Sequence, residues 1–272
     1  MSIITTEDKY KLLKDNLKQL EPFIIAFSGG VDSTFLTAVA KEAGAEFEAV
    51  TVNNSFVPEK EIREVKKLVQ ELEIEHQQLE IELNQLEKAL ENDAERCYHC
   101  KKVIFNQIIN YAAGKKVVEG SNLDDTGDYR PGRRALKELG IKSPLLTVQL
   151  TKKEIRMLSK DLGLTTWNKP SLSCLATRVS YGNKITTERL EKIEIAEELL
   201  RRNGFHQFRV RDHNNLARIE LSETDRDKIL DLNLMDKLSD KLQKLGFQYV
   251  TLDLSAYESG SMNKEILEGK DE

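Results

Sequence analysis

The chain has no apolar run of about 18 residues, the length a membrane-spanning helix needs, so no bilayer span is expected. Its opening stretch, MSIITTEDKYKLLKDNLKQL, lacks the layout of a secretory signal and reads as an amphipathic helix of mixed charge. A basic surplus is missing too. Lys and Arg number 41 against 46 Asp and Glu, a net charge of −5, which argues against a nucleic-acid partner held on a broad basic surface. Only three cysteines occur, an odd number with two in the tight group Cys97-Tyr98-His99-Cys100. That usage fits a reducing cytoplasm where thiols do metal or redox chemistry better than a disulfide scaffold. No internal repeat or low-complexity segment is present. At 272 residues, 39% hydrophobic and 32% charged, the chain is long enough for two modest domains or one large one.

What is present is organised around Ser28-Gly29-Gly30-Val31-Asp32-Ser33. An apolar run, Phe23 to Phe27, precedes it and a helical pattern, Thr34 to Ala43, follows. A strand that breaks at two glycines and restarts as a helix leaves several backbone N–H groups facing one way, at the positive end of the helix dipole. Such a turn holds phosphate. Gly29 and Gly30 permit positive φ and close approach, and the hydroxyls of Ser28 and Ser33 can donate to the same oxygens. Asp32 would repel phosphate unless Mg²⁺ lay between them. The Gly-Lys-Ser/Thr ending of a Walker loop is absent from the turn.

Strands are expected at Phe23–Phe27, Phe47–Asn53, Ile74–Ile81 and Lys116–Gly120. Helices separate them, near Thr34–Ala43, Pro58–Leu72, Leu86–Glu91 and Tyr98–Ala113. Three further segments, Ala135–Leu139, Leu145–Val148 and Lys152–Leu162, complete the unit. This alternation predicts βαβ crossovers and a parallel sheet covered on both faces, with ligands at the carboxyl ends of the strands. After a loop punctuated by Pro170 and Gly182 the pattern changes. A helix over Thr187–Asn203, strands Gln207–Asp212 and Leu216–Leu221 around an Asn214-Asn215 turn, further helix to Lys244 and a strand Phe247–Leu254 read as a small α+β domain. The expected division is 1–165, a linker and cysteine loop at 166–185, and 186–272.

Four constellations carry chemistry. Gly120-Ser121-Asn122-Leu123-Asp124-Asp125, running on to Arg130 and Arg133, sits after a strand end. There Asn122 and Asp125 can position Mg²⁺ or substrate, and the arginines can clamp phosphate. Cys97 and Cys100 open a helix, a position that favours thiolate; a redox pair or a zinc site shared with Cys174 and one of His76, His99, His206 or His213 are the alternatives. Cys174 lies in a loop ahead of Arg178, which would stabilise its thiolate. Three thiols also leave one iron of a [4Fe–4S] cube without a protein ligand, open to sulfide or substrate, and this is the preferred reading. Arg209 and Arg211 alternate onto one strand face, with Glu220 on the next strand to orient a guanidinium; the pair matches a phosphate or two carboxylates, or else is a solvated face of cross-strand ion pairs.

SGGVDS resembles the PP-loop of the ATP pyrophosphatases. Taken in order with GSNLDD and DYRPGRR, PSLSCLATR, and RVR with ARIE, it resembles the LarE family of ATP-dependent sulfur transferases over nearly the whole chain. The resemblance implies a Rossmann-like PP-loop α/β fold (adenine nucleotide alpha hydrolase-like) with a small C-terminal α+β domain. It implies ATP and Mg²⁺ at Ser28, Gly29, Gly30, Asp32, Ser33, Asn122, Asp125 and Arg130. The implied substrate is pyridinium-3,5-biscarboxylic acid mononucleotide, a precursor of the nickel-pincer cofactor of lactate racemase, met by Arg178, Glu197, Arg209, Arg211 and Glu220. Adenylation of its carboxylate precedes replacement of AMP by sulfur. Cys174 matches the cysteine that sacrificial members consume as their sulfur source. Cys97 and Cys100 beside it resemble the three-cysteine branch, whose members carry a [4Fe–4S] cluster on Cys97, Cys100 and Cys174. A homo-oligomer, a hexamer, is implied as well. The rivals are a PP-loop tRNA thiolation enzyme, sacrificial donation from Cys174, an amidating ligase and a nucleotide-sensing module with structural zinc.

Overall fold

The computed structural model of the protein describes residues 4–126, 131–171 and 173–258. In order, the elements are α1 (Thr6–Leu20), β1 (Phe23–Ala26), α2 (Val31–Glu42), β2 (Phe47–Asn53), α3 (Glu59–Leu72), β3 (His76–Glu80), α4 (Glu87–Leu90), α5 (Arg96–Ala112) and β4 (Lys116–Val118). Then come α6 (Pro131–Glu138), α7 (Pro144–Thr147), α8 (Lys152–Asp161), α9 (Thr187–Arg202), β5 (Phe208–His213), β6 (Leu216–Leu221), α10 (Leu232–Lys244) and β7 (Tyr249–Leu252). They divide into two compact units, one of residues 1–86 and 97–172, the other of 87–96 and 173–272.

The first unit is a four-stranded sheet of order β3-β2-β1-β4, parallel at every pairing. Strand alternation decides what each face buries. Phe23 and Ile25 point into a core with Leu13, Leu17, Phe35, Leu36, Val39 and Ile155, from α1, α2 and α8. Ile24, Val50 and Val117 point the other way, onto Phe105, Ile108 and Ala112 of α5 and Leu136 of α6. Phe27 and Ala49 take Val65 and Leu68 of α3. Helices on both faces of a parallel sheet make this the α/β, Rossmann-like arrangement that the alternating pattern predicts.

The second unit is a three-stranded sheet of order β5-β6-β7, with β5 antiparallel to β6 and β7 parallel to it. Phe208, Val210, Ala217, Ile219 and Leu221 pack on Ala196 and Leu200 of α9 and on Leu238 and Leu242 of α10. Asn214, at φ +63°, makes the hairpin turn between β5 and β6. The strands are shorter than the sequence predicts at several ends: β3 starts at His76, β4 stops at Val118 and β7 runs from Tyr249 to Leu252. Among the described residues no helix is long and apolar enough to cross a membrane.

Candidate active site

In the first unit β1 delivers the chain to Ser28, and the turn reverses at Gly29, whose φ is +68°. A Cβ there would also meet Val65 of α3 at 2.8 Å, so both backbone angle and close packing require glycine. Gly30 is the N-cap of α2 and has no side chain to cap with. The amides of the first helical turn are therefore left to a ligand at the positive end of the helix dipole. Ser28 and Ser33 line the turn, their Oγ atoms 3.1 Å apart, and Ser33 Oγ donates to Gly30 O at 3.2 Å.

The loop after β4 closes against this turn. A Cβ on Gly120 would come within 3.0 Å of the Ser33 nitrogen and 3.1 Å of Asp32 Cβ. Buried Asn122 donates from Nδ2 to Asp32 Oδ1 at 3.3 Å, while its Oδ1 accepts from the Asp124 amide and its own amide donates to Asp125 Oδ2. Arg133 Nη1 donates to the Asp125 carbonyl at 3.1 Å. Lys152, at the start of α8, donates from Nζ to Asp32 Oδ2, and its amide donates to Asp124 Oδ2 at 2.9 Å. Ser28, Gly30, Asp32, Ser33, Asn122 and Asp125 thus line one cavity of about 770 Å³, which the turn shares with Lys152, Glu119 and the 104, 105 and 108 positions of α5. A volume of this order suits a nucleotide.

Lys169 braces the turn. Its Nζ donates to Gly29 O at 3.1 Å and pairs with Glu61 at 2.9 Å and Glu64 at 2.7 Å. Burial pushes the Glu64 carboxyl up, but hydrogen bonding to Lys169 and the charges of Lys169 and Lys60 outweigh it and hold the group below the usual carboxylate range. Lys152, Glu119 and Lys169 were not legible as site residues, because only the fold brings them to the turn. Arg130, with Asp128 and Tyr129, lies outside the described residues.

Cys97 and Cys100 stand three apart near the start of α5, the first exposed and the second half-buried. The same helix lines the nucleotide-sized cavity through Lys101, Ile104, Phe105 and Ile108. Among the described residues no three His, Cys, Asp or Glu side chains are gathered as a metal site.

Cys174 belongs to the second unit, where it precedes a short 3-10 turn, Leu175–Arg178. Its carbonyl accepts from the Thr177 amide, Thr177 Oγ1 and Arg178 Nη1. Arg178 is buried and committed: Nε and Nη2 grip Glu197 at 2.8 and 3.0 Å, and Nη1 reaches Ser173 O and Oγ. Burial would raise the Glu197 carboxyl, but the charge and hydrogen bonds of Arg178 win and depress it. On the hairpin, Arg211 grips Glu220 from Nε and Nη2 at 2.9 and 2.7 Å, and Arg218 joins Glu220 at 2.9 Å. Arg209 shares that face but differs. Among the described residues no carboxylate forms a salt bridge with it; it donates to Phe208 O and lies over the Tyr257 ring at 4.8 Å. Burial, with the neighbouring Arg178 charge, pushes the Arg209 guanidinium below its usual value. Four arginines, Arg178, Arg209, Arg211 and Arg218, thus stand around Glu197 and Glu220, and Arg209 is the one that forms no carboxylate salt bridge among the described residues.

A strand-turn-helix at the carboxyl end of a parallel sheet, its helix-start amides, two serine hydroxyls and one carboxylate facing a nucleotide-sized cavity, is the arrangement of an ATP pyrophosphatase of the PP-loop class. The sequence profile of the queuosine biosynthesis protein QueC family matches residues 22–103, from β1 through both cysteines of α5. An uncharacterized protein of Synechocystis sp. is 39% identical over 96% of this chain and 98% of its own. The pyridinium-3,5-bisthiocarboxylic acid mononucleotide synthase of Lactiplantibacillus plantarum is 34% identical over 96% of each chain. An uncharacterized protein of Methanocaldococcus jannaschii is 34% identical over 91% of this chain and 96% of its own. The chain belongs to the LarE-like family of ATP-dependent sulfur transferases.

Proposed function

We propose that the enzyme thiolates pyridinium-3,5-biscarboxylic acid mononucleotide for nickel-pincer cofactor biosynthesis, with the first unit using ATP and the second taking the substrate. The observation that carries this reading is the end-to-end similarity to the Lactiplantibacillus plantarum synthase, joined to a second-unit arginine face on which Arg209 forms no carboxylate salt bridge among the described residues. A carboxylate reacts poorly with sulfur because oxide would have to leave. Attack of its oxygen on the α-phosphorus of ATP expels pyrophosphate and gives an acyl-adenylate, from which AMP leaves readily when sulfur attacks the acyl carbon.

In this scheme the α2 amides, Ser28 and Ser33 hold the departing pyrophosphate, and Asp32 with Asn122 and Asp125 positions Mg²⁺. Lys152, on Asp32, supplies the nearest mobile cation for the phosphates. Arg209 takes the substrate's anionic phosphate, while Arg211 and Glu220 fix the direction of that face and Arg178 with Glu197 holds the cysteine loop. Cys97, Cys100 and Cys174 would hold a [4Fe–4S] cluster; the thiol count and the family resemblance support it. When bound, that cluster supplies an iron able to carry sulfide, which spares Cys174 from being consumed. A homo-oligomeric state belongs to the same reading.

The test is anaerobic turnover with ATP, Mg²⁺ and the dicarboxylate mononucleotide, followed by mass spectrometry of product and protein. The expected outcome is thiocarboxylate with AMP and pyrophosphate in equal amounts, and Cys174 unchanged in mass after several turnovers. Loss of H₂S from Cys174 would overturn the cluster as sulfur source. Absence of thiocarboxylate would overturn the substrate assignment.

A further inference from the structure

The segment 87–96 leaves the first unit's stretch of sequence and is built into the second unit, and its two buried polar residues explain what it does there. Asn92 is fully buried at φ +57°. Its Nδ2 donates to three carbonyls in turn: Val179 at 3.2 Å, Ser180 at 2.7 Å and Asn183 at 3.0 Å. The backbone joins in, with the Gly182 amide on Asn92 O at 3.0 Å and the Ile185 amide on Leu90 O at 2.8 Å. Arg96, 3% exposed, donates from Nη1 to Asn92 Oδ1 and to the Ala176 carbonyl at 3.2 Å, and its guanidinium lies over the Tyr181 ring at 4.9 Å.

Ala176 is two residues beyond Cys174, inside the short turn that begins there. The loop is thus gripped twice. Arg178 holds the carbonyls of Ser173 and Cys174, and Arg96 holds that of Ala176, with Asn92 fixing the strand-like exit through Val179 and Ser180. A surface linker would not need two buried anchors from a distant segment, one of them a charged guanidinium, since loops ordinarily satisfy their carbonyls with water. Burying a guanidinium costs several kcal/mol unless its donors are engaged, and Arg96 engages Asn92 and the carbonyl of Ala176 in this loop.

We propose that Asn92 and Arg96 are positioning residues for the sulfur-transfer step: they set the conformation of the loop that carries Cys174. This rests on the reading of Cys174 as the sulfur-handling cysteine. The left-handed backbone at residue 92 suggests the cleanest variant, Asn92→Gly, which keeps the φ and removes the amide that bridges three carbonyls. Arg96→Gln removes the charge, and Arg96→Lys retains a cationic donor within reach of Ala176 O.

The experiment pairs hydrogen–deuterium exchange of the full-length protein with single-turnover thiolation. Asn92→Gly and Arg96→Gln should raise exchange in the peptides covering 174–183 at least tenfold while leaving β1, β2 and α2 unchanged. They should lower kcat for thiolation about tenfold or more with KM for ATP unchanged, since misplacement by an ångström carries penalties of that order. Arg96→Lys should recover most of both. Unchanged exchange at 174–183 in both variants overturns the proposal, as does faster exchange with undiminished thiolation. If the wild-type chain makes no thiocarboxylate, the reading of Cys174 falls by itself and the exchange measurement alone decides whether Asn92 and Arg96 hold the loop.

Discussion

Lys152 rests its ammonium group on the carboxylate of Asp32, 120 positions away in the chain, inside the cavity that the glycine turn opens onto. Asp32 therefore stands between a fixed amide, Asn122 Nδ2, and a mobile cation. Asp32 would hold a divalent metal bound with ATP, and Lys152, freed from that carboxylate, would then be placed to meet the phosphates. Lys152→Met should lower kcat/KM for ATP about a hundredfold, the order found when one preorganised donor is lost from a charged transition state. Pyrophosphate release against ATP concentration measures this; a wild-type value would remove Lys152 from the phosphate site.

Gly120 is held to its identity by the amide of Ser33, because the nearest neighbour of a Cβ would be backbone, 3.0 Å away, rather than a side chain that can swing aside. Gly120→Ala must push the loop after β4 off the first turn of α2. The expected cost is about 1–3 kcal/mol, the usual penalty of overpacking, with ATP binding lost well before the fold. Calorimetric titration with a non-hydrolysable ATP analogue beside a thermal melt separates the two effects. Tight nucleotide binding in a folded Gly120→Ala protein would contradict the geometry.

Much of this site was legible because it lies in local grammar. The apolar run into Gly29-Gly30 and out into a helix specifies a strand, a turn and an anion-binding helix start without knowledge of the fold, and period-two alternation already placed Arg209 and Arg211 on one face. What could not be read depends on long-range closure. Lys152 looks like any first-turn lysine behind the capping residue Thr151, and Lys169 like any loop lysine, until α8 and the 165–171 segment are folded against Gly29. Segment 87–96 reads as a short helix and a polar turn in sequence; its role comes from carbonyls 80 to 91 residues away that only the folded second unit presents to Asn92 and Arg96. Arg178, expected to meet substrate, has its donors spent on Glu197 and on the loop itself, a commitment no spacing reveals.

The two arginines of β5 should respond differently to removal. Arg211→Ala strips the bidentate partner from buried Glu220, leaving half-buried Arg218 to neutralise it, and breaking such a pair costs about 3–5 kcal/mol. Arg209→Ala removes a guanidinium that stacks on Tyr257 and has no salt bridge to a carboxylate among the described residues, so stability should change by about 1 kcal/mol or less. Its effect should fall on substrate instead: KM for the mononucleotide rises about tenfold or more, matching the ~1.5–3 kcal/mol of a charge-assisted hydrogen bond. Thermal melts and mononucleotide saturation curves on both variants test the contrast. Equal destabilisation with equal KM would make this face structural only.

Acid sensitivity of the first unit should centre on Glu154, which ties α1 to α8. Burial works to raise its carboxyl, but Lys9 at 2.8 Å, the Thr151 amide and hydroxyl, and Thr6 together pull it from 4.5 down to about 2. A group depressed on folding adds stability above its unfolded value and loses it as pH falls toward its folded one, so this contribution is complete above about 4.5 and fades toward 2. Glu154→Gln should cost about 1–2 kcal/mol near neutral pH, because the amide retains only part of the hydrogen bonding and none of the ion pair. The stability gap between wild type and Glu154→Gln should shrink by about half or more on moving from pH 7 to pH 3. Denaturant unfolding at the two pH values measures it. A gap of the same size at both would mean that Glu154 acts through packing and that its charge is irrelevant to holding α1 against α8.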